Sequence, residues 1–265
     1  MSARFRLAPF ALLTMALCIA IWPVWVWFVK GSSDASNDSA SLLALATAAL
    51  LVWRAPDSAP IRCPLALPGA LLALYAIASA CGLPPAVGAL PAAAAMAALA
   101  SAYRRGCRLD AALLALCMLA LPLAASLQFY LGYPMRVVAG TFSVALLRMG
   151  GIGVVREGAM LAWGGQLISI DAPCSGVKML WAGIYLACAL AAGHRLGVVR
   201  TIVALAFGAA VIIAANAMRA CALFYTESGL IDLPGAAHEA IGVVCFVAAA
   251  LTIFAGVRRV ARDAP

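Results

Sequence analysis

Long apolar runs, separated by short charged or Pro/Gly-rich breaks, follow one another along nearly the whole chain. Most runs are close to 20 residues, the length with which an α-helix crosses about 30 Å of hydrocarbon. Cutting the chain at the breaks predicts eight membrane-spanning helices, at residues 8–29, 39–53, 65–81, 84–103, 109–130, 174–193, 200–222 and 238–257. The pattern therefore predicts an all-α, polytopic membrane protein with a single membrane domain over residues 1–265.

Two local features show how particular runs begin and end. Arg4 and Arg6 precede the first run as in a signal peptide, but the run ends in aromatic residues and not in a small-residue cleavage site, so we expect it to be retained as a span. The turn-like residues 82–85 separate the third run from the fourth, and they predict a tight helical hairpin.

One segment between runs, residues 131–173, is longer than a turn. Its first part, from Arg136 to Arg148, predicts an amphipathic helix lying at the membrane interface. The glycine-rich part that follows predicts a short hairpin. A structureless loop of this length is unusual in a compact protein, so we expect this segment to be structured and functional.

Composition supports the membrane interpretation. The chain is 66% hydrophobic and 11% charged, whereas soluble domains carry about 25% charged residues. Its mean hydropathy is +1.05. These values exclude an ordinary soluble fold, intrinsic disorder and a collagen repeat, and no spaced Cys-x-x-Cys pair indicates a disulfide framework.

The net charge of +8 could indicate nucleic acid, but the positions of the basic residues indicate membrane orientation instead. With the N-terminus in the cytoplasm, 12 of the 18 Lys and Arg residues lie inside: Arg4, Arg6, Arg54, Arg62, Arg104, Arg105, Arg108, Arg195, Arg200, Arg258, Arg259 and Arg262. Seven of the ten acidic residues lie outside: Asp34, Asp38, Glu157, Asp171, Glu227, Asp232 and Glu239. We therefore expect both termini in the cytoplasm, lipid around the chain and no nucleic-acid partner.

Polar residues are costly inside spans, and here they concentrate in the last three. They are Cys174, Ser175, Gly176 and Lys178 in the sixth span, Asn216 and Arg219 in the seventh, and His238 and Glu239 in the eighth. Cys174, Arg219 and His238 each lie 19 or 20 residues from a basic residue at the cytoplasmic end of their span, or roughly 30 Å. We therefore expect a thiol, a guanidinium and an imidazole in one plane at the outer face, which are the groups that nucleophilic acyl transfer needs.

The residue types suggest a role for each group. Cys174 follows Pro173 at a predicted helix start, where the helix dipole lowers the pKa of a thiol. His238 can accept the thiol proton and later protonate a leaving amine. Arg219 keeps its charge and suits a clamp on an oxyanion or a substrate carboxylate. Asn216 lies one turn before Arg219 and is placed to orient it.

Each residue also has a purely structural interpretation. Five cysteines lie in apolar runs, where Cys is a small hydrophobic residue: Cys18, Cys117, Cys188, Cys221 and Cys245. Arg219 and Lys178 could extend to the interface as anchors, and a lone His238 could be an ordinary interfacial histidine. No metal-ligand spacing is present, so we expect neither a metal nor a cofactor.

Three blocks resemble the signature of the exosortase/archaeosortase family: Asp-Ala-Pro-Cys-Ser-Gly-Val-Lys at 171–178, Asn-Ala-Met-Arg at 216–219 and His-Glu-Ala-Ile-Gly at 238–242. Ser126-Leu-Gln128 and Gly132-Tyr-Pro134 resemble a weaker upstream block of that family. The resemblance covers residues 120–257, as a catalytic region, whereas residues 1–110 match only as N-terminal spans.

The resemblance implies a cysteine transpeptidase or protease of a bacterial inner membrane, with its site facing the periplasm. Its substrates would be exported proteins with a C-terminal sorting signal: a short motif such as Pro-Glu-Pro, a transmembrane helix and a basic cluster. The enzyme would pass the acyl group to an acceptor nucleophile of unknown identity. Cys174 would be the nucleophile, with Arg219 and His238 as its partners. The supporting residues would be Gln128, Ser175, Gly176, Lys178 and Asn216.

One departure concerns the positions after Cys-Ser-Gly, which often read Leu-Arg in the family and read Val177-Lys178 here. It suggests a subtype with a different substrate. A transporter or a non-catalytic scaffold for exported polysaccharide is the alternative. The polar residues sit at one face and no inverted repeat is visible, which argues against a transporter. A reactive cysteine would be superfluous in a scaffold.

Overall fold

The computed structural model describes residues 3–33, 40–55, 61–169, 175–232, 234 and 237–262, with side chains from residue 9 onward. Most of the described chain is helical. The helices are α1 Ala3–Ala20, α2 Trp22–Ser32, α3 Ala40–Trp53, α4 Ala66–Ala80, α5 Pro85–Ala100, α6 Ala111–Leu119, α7 Ala124–Met149, α8 Val177–Gly193, α9 Val198–Glu227 and α10 Ala237–Arg262. A π-helical turn, Ser101–Arg105, extends α5, and three strands are β1 Val155–Glu157, β2 Met160–Trp163 and β3 Gln166–Ser169.

All eight predicted runs are largely helical where they are described, but two of them are broken. The first run divides into α1 and α2, whose axes differ by 73°. Pro23 sits in the first turn of α2, where its missing N–H costs nothing but prevents continuation from α1. The fifth run divides at residues 120–123 into α6 and α7, and Pro122 lies in that break.

Judged by the length of its helices, the described part of the structure has fewer membrane spans than the eight that were predicted. Among the described residues, three helical segments are long and apolar enough to cross a membrane: Pro85–Arg105, Val198–Glu227 and Ala237–Arg262. The number rises to five if each broken pair counts as one span. Helices α3, α4 and α8 have 14, 15 and 17 residues, or roughly 21 to 26 Å, which is shorter than the hydrocarbon thickness. The structure is thus that of a mostly helical membrane protein, and the eight-span topology stays a prediction.

The long segment after the fifth run differs from the prediction in two ways. Helix α7 continues to Met149, so the predicted interfacial helix from Arg136 to Arg148 is the second half of one 26-residue helix. The glycine-rich part forms a three-stranded antiparallel sheet of order β1-β2-β3 and not a single hairpin, which also corrects the all-α prediction. The cause is a second tight turn: two-residue turns at 158–159 and 164–165 contain glycines with φ of +61°, +59° and +80°.

The chain forms two compact units. Unit 1 comprises residues 1–124 and 188–201, and unit 2 comprises residues 125–187 and 202–265. Their boundary at residue 124 falls close to the division between the predicted N-terminal spans and the predicted catalytic region. In unit 1, α4 and α5 pack against each other as the predicted helical hairpin.

In unit 1 a buried arginine closes the end of α3. Arg104, in the π-helical turn after α5, donates from Nε to the carbonyl of Val52 at 3.2 Å. Its Nη2 donates to the carbonyls of Trp53 at 3.2 Å and Ala55 at 2.8 Å. The last carbonyls of a helix lack intrahelical partners and carry the negative end of its dipole, so a guanidinium is well suited to this position.

The neighbouring Arg105 makes the equivalent contact at the end of α8. Its Nη1 forms a buried ion pair with Asp110 at 2.7 Å and donates to the carbonyl of Ala192 at 2.8 Å. The ends of α3, α5 and α8 therefore lie together in unit 1. The predicted topology also places these three ends on one side of the membrane, and that topology stays a prediction.

Candidate active site

The candidate site lies in unit 2, where α7, the start of α8, α9 and α10 contribute its side chains. The predicted nucleophile Cys174 and residues 170–173 lie outside the described residues. The surroundings of Ser175, the next residue along the chain, therefore define the site.

Ser175 closes the start of α8 and ties it to α7. Its side chain is buried, and its Oγ accepts a hydrogen bond from the Val177 N–H at 3.4 Å, which is a cap on one of the free N–H groups at a helix start. The same Oγ donates to Gln128 Oε1 at 3.2 Å. Gln128 lies over Gly132, where an added Cβ would come within 2.9 Å of its Nε2. The weak upstream block thus has a structural role, which is to hold the start of α8.

Gly176 is in close contact with Asn216 of α9. Its φ is +82°, in the left-handed region, and a Cβ placed there would lie 2.5 Å from Asn216 Cγ. Asn216 is buried and donates from Nδ2 to the Ser175 carbonyl at 3.3 Å. The amide of Asn216 therefore holds the residues that directly follow Cys174, and its predicted action on Arg219 stays a prediction.

We expect Gly176→Ala to lower both stability and activity, because alanine adds left-handed strain of about 1–3 kcal/mol and collides with Asn216. The thermal unfolding midpoint in detergent and the abundance in membranes measure the effect. Gly193→Ala, at the other end of α8, is the matched control because its Cβ would meet nothing within 4 Å. Equal midpoints for both variants would contradict the close contact at Gly176.

Arg219 of α9 packs against Gly242 of α10. An added Cβ on Gly242 would lie 3.2 Å from Arg219 Nε, so only a glycine lets the guanidinium approach α10 this closely. Arg219 Nε is buried and has no hydrogen-bond partner among the residues that the structure describes. A buried donor without an acceptor is costly, and such groups often act in binding or catalysis.

His238 stands at the first turn of α10 beside Glu227, the last residue of α9. Its Nδ1 lies 3.6 Å from Glu227 Oε1, and the side chains are 42% and 53% exposed. An exposed pair at this separation contributes little to stability. Sequence reasoning had assigned Glu227 only to the outer side. The signal that could have found it is its position at the end of the seventh span, one short loop before His238.

The predicted common plane of Cys174, Arg219 and His238 stays a prediction, because Cys174 lies outside the described residues. Arg219 lies beside Gly242, which is four residues along α10 from His238, or roughly 6 Å. Lys178, in the first turn of α8, has an exposed side chain.

Cys107, which lies between the predicted fourth and fifth spans, is a poor competitor of Cys174 as nucleophile. Burial raises the pKa of Cys107, and the nearby Asp110 carboxylate raises it further, against smaller opposing effects of Arg105 and Arg195. A raised pKa leaves little thiolate at neutral pH.

The sequence profile of the family described as transmembrane exosortase matches residues 27–255. The chain belongs to the transmembrane exosortase family. This match extends to residue 27, so the family relationship includes most of the N-terminal spans as well as the region of the three motif blocks. No curated protein matches the chain, and no solved structure matches it either.

The three exosortase blocks contact one another in this chain. The first and second blocks meet at Gly176 and Asn216, and the second and third blocks meet at Arg219 and Gly242. The blocks are thus consecutive contact surfaces of α8, α9 and α10. Among the described residues no group of three or more His, Cys, Asp or Glu is arranged to hold a metal ion.

Proposed function

We propose that this exosortase is a cysteine transpeptidase or peptidase that cleaves the C-terminal sorting signal of exported proteins at the periplasmic face of a bacterial inner membrane. One observation carries the proposal. The residues next to Cys174 are held by Asn216, and three residues further along α9 the Nε of Arg219 is buried without an acceptor among the described residues. A charged donor that lacks an acceptor among the described residues, on the helix that holds the neighbours of Cys174, suits a site in which negative charge develops during the reaction.

The proposed reaction proceeds in two steps. His238 accepts the proton of Cys174, and the sulfur attacks the carbonyl carbon of the substrate's scissile peptide bond. The C–N bond then breaks, His238 returns the proton to the leaving amine, and a thioester to Cys174 remains. The acceptor nucleophile or water attacks the thioester and releases the thiol.

Arg219 would stabilise the oxyanion that forms in both steps. A guanidinium that is partly buried interacts more strongly with a developing charge than it would in water, because the local dielectric constant is lower. Because α10 holds the guanidinium by close contact at Gly242, little reorganisation is needed when the charge appears.

Replacement of His238 tests the proposed acid and base. A reporter protein that ends in a Pro-Glu-Pro motif, a transmembrane helix and a basic cluster is co-expressed, and its electrophoretic size is followed. We expect His238→Ala to slow processing by roughly 10²- to 10⁴-fold. His194→Ala is the matched control, since the chain contains two histidines and His194 follows the other end of α8. Unchanged processing by His238→Ala would remove the histidine from the mechanism.

The orientation of the site is tested by fusions. A reporter that is active only in the periplasm should be silent when fused near Arg105, Arg195 or Arg259. It should be active when fused near Gly158 or Leu230. Activity near Arg195 would place the site on the cytoplasmic side and contradict the periplasmic part of the proposal.

A further inference from the structure

The third strand of the small sheet has a free edge: among the described residues no further strand pairs with it. In the order β1-β2-β3, β3 pairs with β2 on one side, with Trp163 opposite Gln166 and Leu161 opposite Ile168. In a hairpin with a two-residue turn, the residues that flank the turn exchange both backbone hydrogen bonds, and this pairing alternates along the strands. Gln166 and Ile168 therefore bond to β2, whereas the N–H and C=O groups of Leu167 and Ser169 point away from the sheet.

These outward groups have no hydrogen-bond partner within the described part of the chain. Proteins usually protect such an edge with charged side chains or proline. The opposite edge of this sheet follows that rule, because β1 carries Arg156 and Glu157. Strand β3 reads Gln-Leu-Ile-Ser, with no charge and no proline.

The edge strand lines a cleft next to the candidate site. A cavity of about 220 Å³ is bounded by all four residues of β3 and by α9. Glu227 and His238 line the same cavity. The sheet is held in place by Leu161 and Ile168, which pack in a buried cluster with Phe224 of α9. Strand β3 is thus a fixed part of the cleft wall, and it ends five residues before Cys174 in sequence.

We propose that the free edge of β3 binds the motif segment of the substrate as an added β-strand, which leads the scissile bond past His238. The proposal rests on the proposed function and names the binding mode of its peptide substrate. Backbone hydrogen bonds from Leu167 and Ser169 supply affinity that is independent of side chains, and side chains that reach the cleft supply specificity. An extended segment is the occupant that fits, since it offers donors and acceptors at the same spacing as the edge.

Proline substitution tests the edge directly. Leu167→Pro removes an outward N–H and leaves the hydrogen bonds to β2 intact, and proline is tolerated on edge strands. Arg156→Pro is the matched control, because Arg156 holds the equivalent outward position on β1, opposite Leu161. We expect Leu167→Pro to reduce reporter processing by roughly three- to tenfold, the effect of about one hydrogen bond, and Arg156→Pro to leave it unchanged. Equal processing by the two variants would overturn the proposal.

A binding measurement separates this inference from the proposed chemistry. The probe is a fluorescent peptide that contains Pro-Glu-Pro, added to the full chain carrying Cys174→Ala. Alternate residues of a strand present their N–H groups to the same side, so in this peptide the Glu N–H faces β3 and the two prolines face away. N-methylation of the Glu nitrogen should weaken binding by roughly three- to tenfold, whereas N-methylation two residues after the second proline should not.

The outcomes of this measurement are distinct. The strand mode is supported if N-methylation weakens peptide binding at the Glu position but not at the second position, and if this difference is lost in Leu167→Pro. That result would stand even if the unmodified chain failed to process the reporter and the proposed function were wrong. Absent binding, or binding without alternation, overturns the strand mode while leaving the cysteine chemistry to its own tests. Pairing of β3 with a second copy of the chain would appear as a dimer that Leu167→Pro dissociates, and it would also overturn the proposal.

Discussion

Cys174→Ala is expected to abolish processing of the reporter, because the sulfur that forms the thioester in the proposed reaction is then absent. Loss of the nucleophile lowers the rate of a hydrolase by a factor on the order of 10⁶, which is complete loss on a gel. Cys174→Ser should be similarly inactive, since a hydroxyl is a much weaker nucleophile than a thiolate at neutral pH. The measurement is the size of the reporter over time at matched membrane abundance.

Two other cysteines provide controls for this experiment. Cys188 is fully buried in unit 1, and Cys221 packs against the buried cluster under the sheet. Both act as small hydrophobic residues, so Cys188→Ala and Cys221→Ala should process the reporter normally. Normal processing by Cys174→Ala would remove the proposed chemistry altogether.

Hydrophobic pattern predicted the helices well and their breaks poorly. All eight apolar runs are largely helical where described, since a chain in a bilayer must satisfy its own backbone groups. The breaks at Pro23 and Pro122 were not predicted, because apolar residues continue through both of them. Hydropathy measures transfer into lipid and contains no information on helix direction.

The sequence predicted a hairpin in this segment but not its third strand. Glycines marked the turn at 164–165, but the turn at 158–159 combines one glycine with an alanine and is a weaker signal. Strand β1 is short, exposed and charged, so it lacks the alternation that identifies a half-buried strand. The free edge of β3 follows from strand order, which local sequence does not determine.

For the candidate site, sequence predicted the motif residues and the structure supplied their contacts. Spacing in the blocks indicated that Asn216 and Arg219 share a helix face, but not that Asn216 reaches the Ser175 carbonyl. The contact of Arg219 with Gly242 depends on the rotation of α10 about its axis, which cannot be counted from a sequence. The same rotation brings His238 beside Glu227.

Arg219→Lys is expected to insert and fold normally but to process the reporter roughly 10²- to 10³-fold more slowly. Lysine keeps the charge but loses the planar set of donors, and the loss of one donor to an oxyanion costs about 2.7 to 4 kcal/mol in the transition state. Arg219→Ala should be at least as slow. The measurement is a processing time course for wild type, Arg219→Lys and Arg219→Ala at matched membrane abundance.

Gly242→Ala separates the position of the guanidinium from its charge. The added Cβ lies 3.2 Å from Nε, so it must shift the guanidinium by a few tenths of an ångström while the arginine remains. We expect slower processing than wild type but faster than Arg219→Lys, because catalysis by fixed donors depends steeply on their placement. Gly69→Ala, whose Cβ would meet nothing within 4 Å, should process normally. If Arg219→Lys processes the reporter nearly as fast as wild type and Arg219→Ala is slow, Arg219 acts as a diffuse positive charge. If both variants are fast, Arg219 is a structural residue, and another group must stabilise the oxyanion.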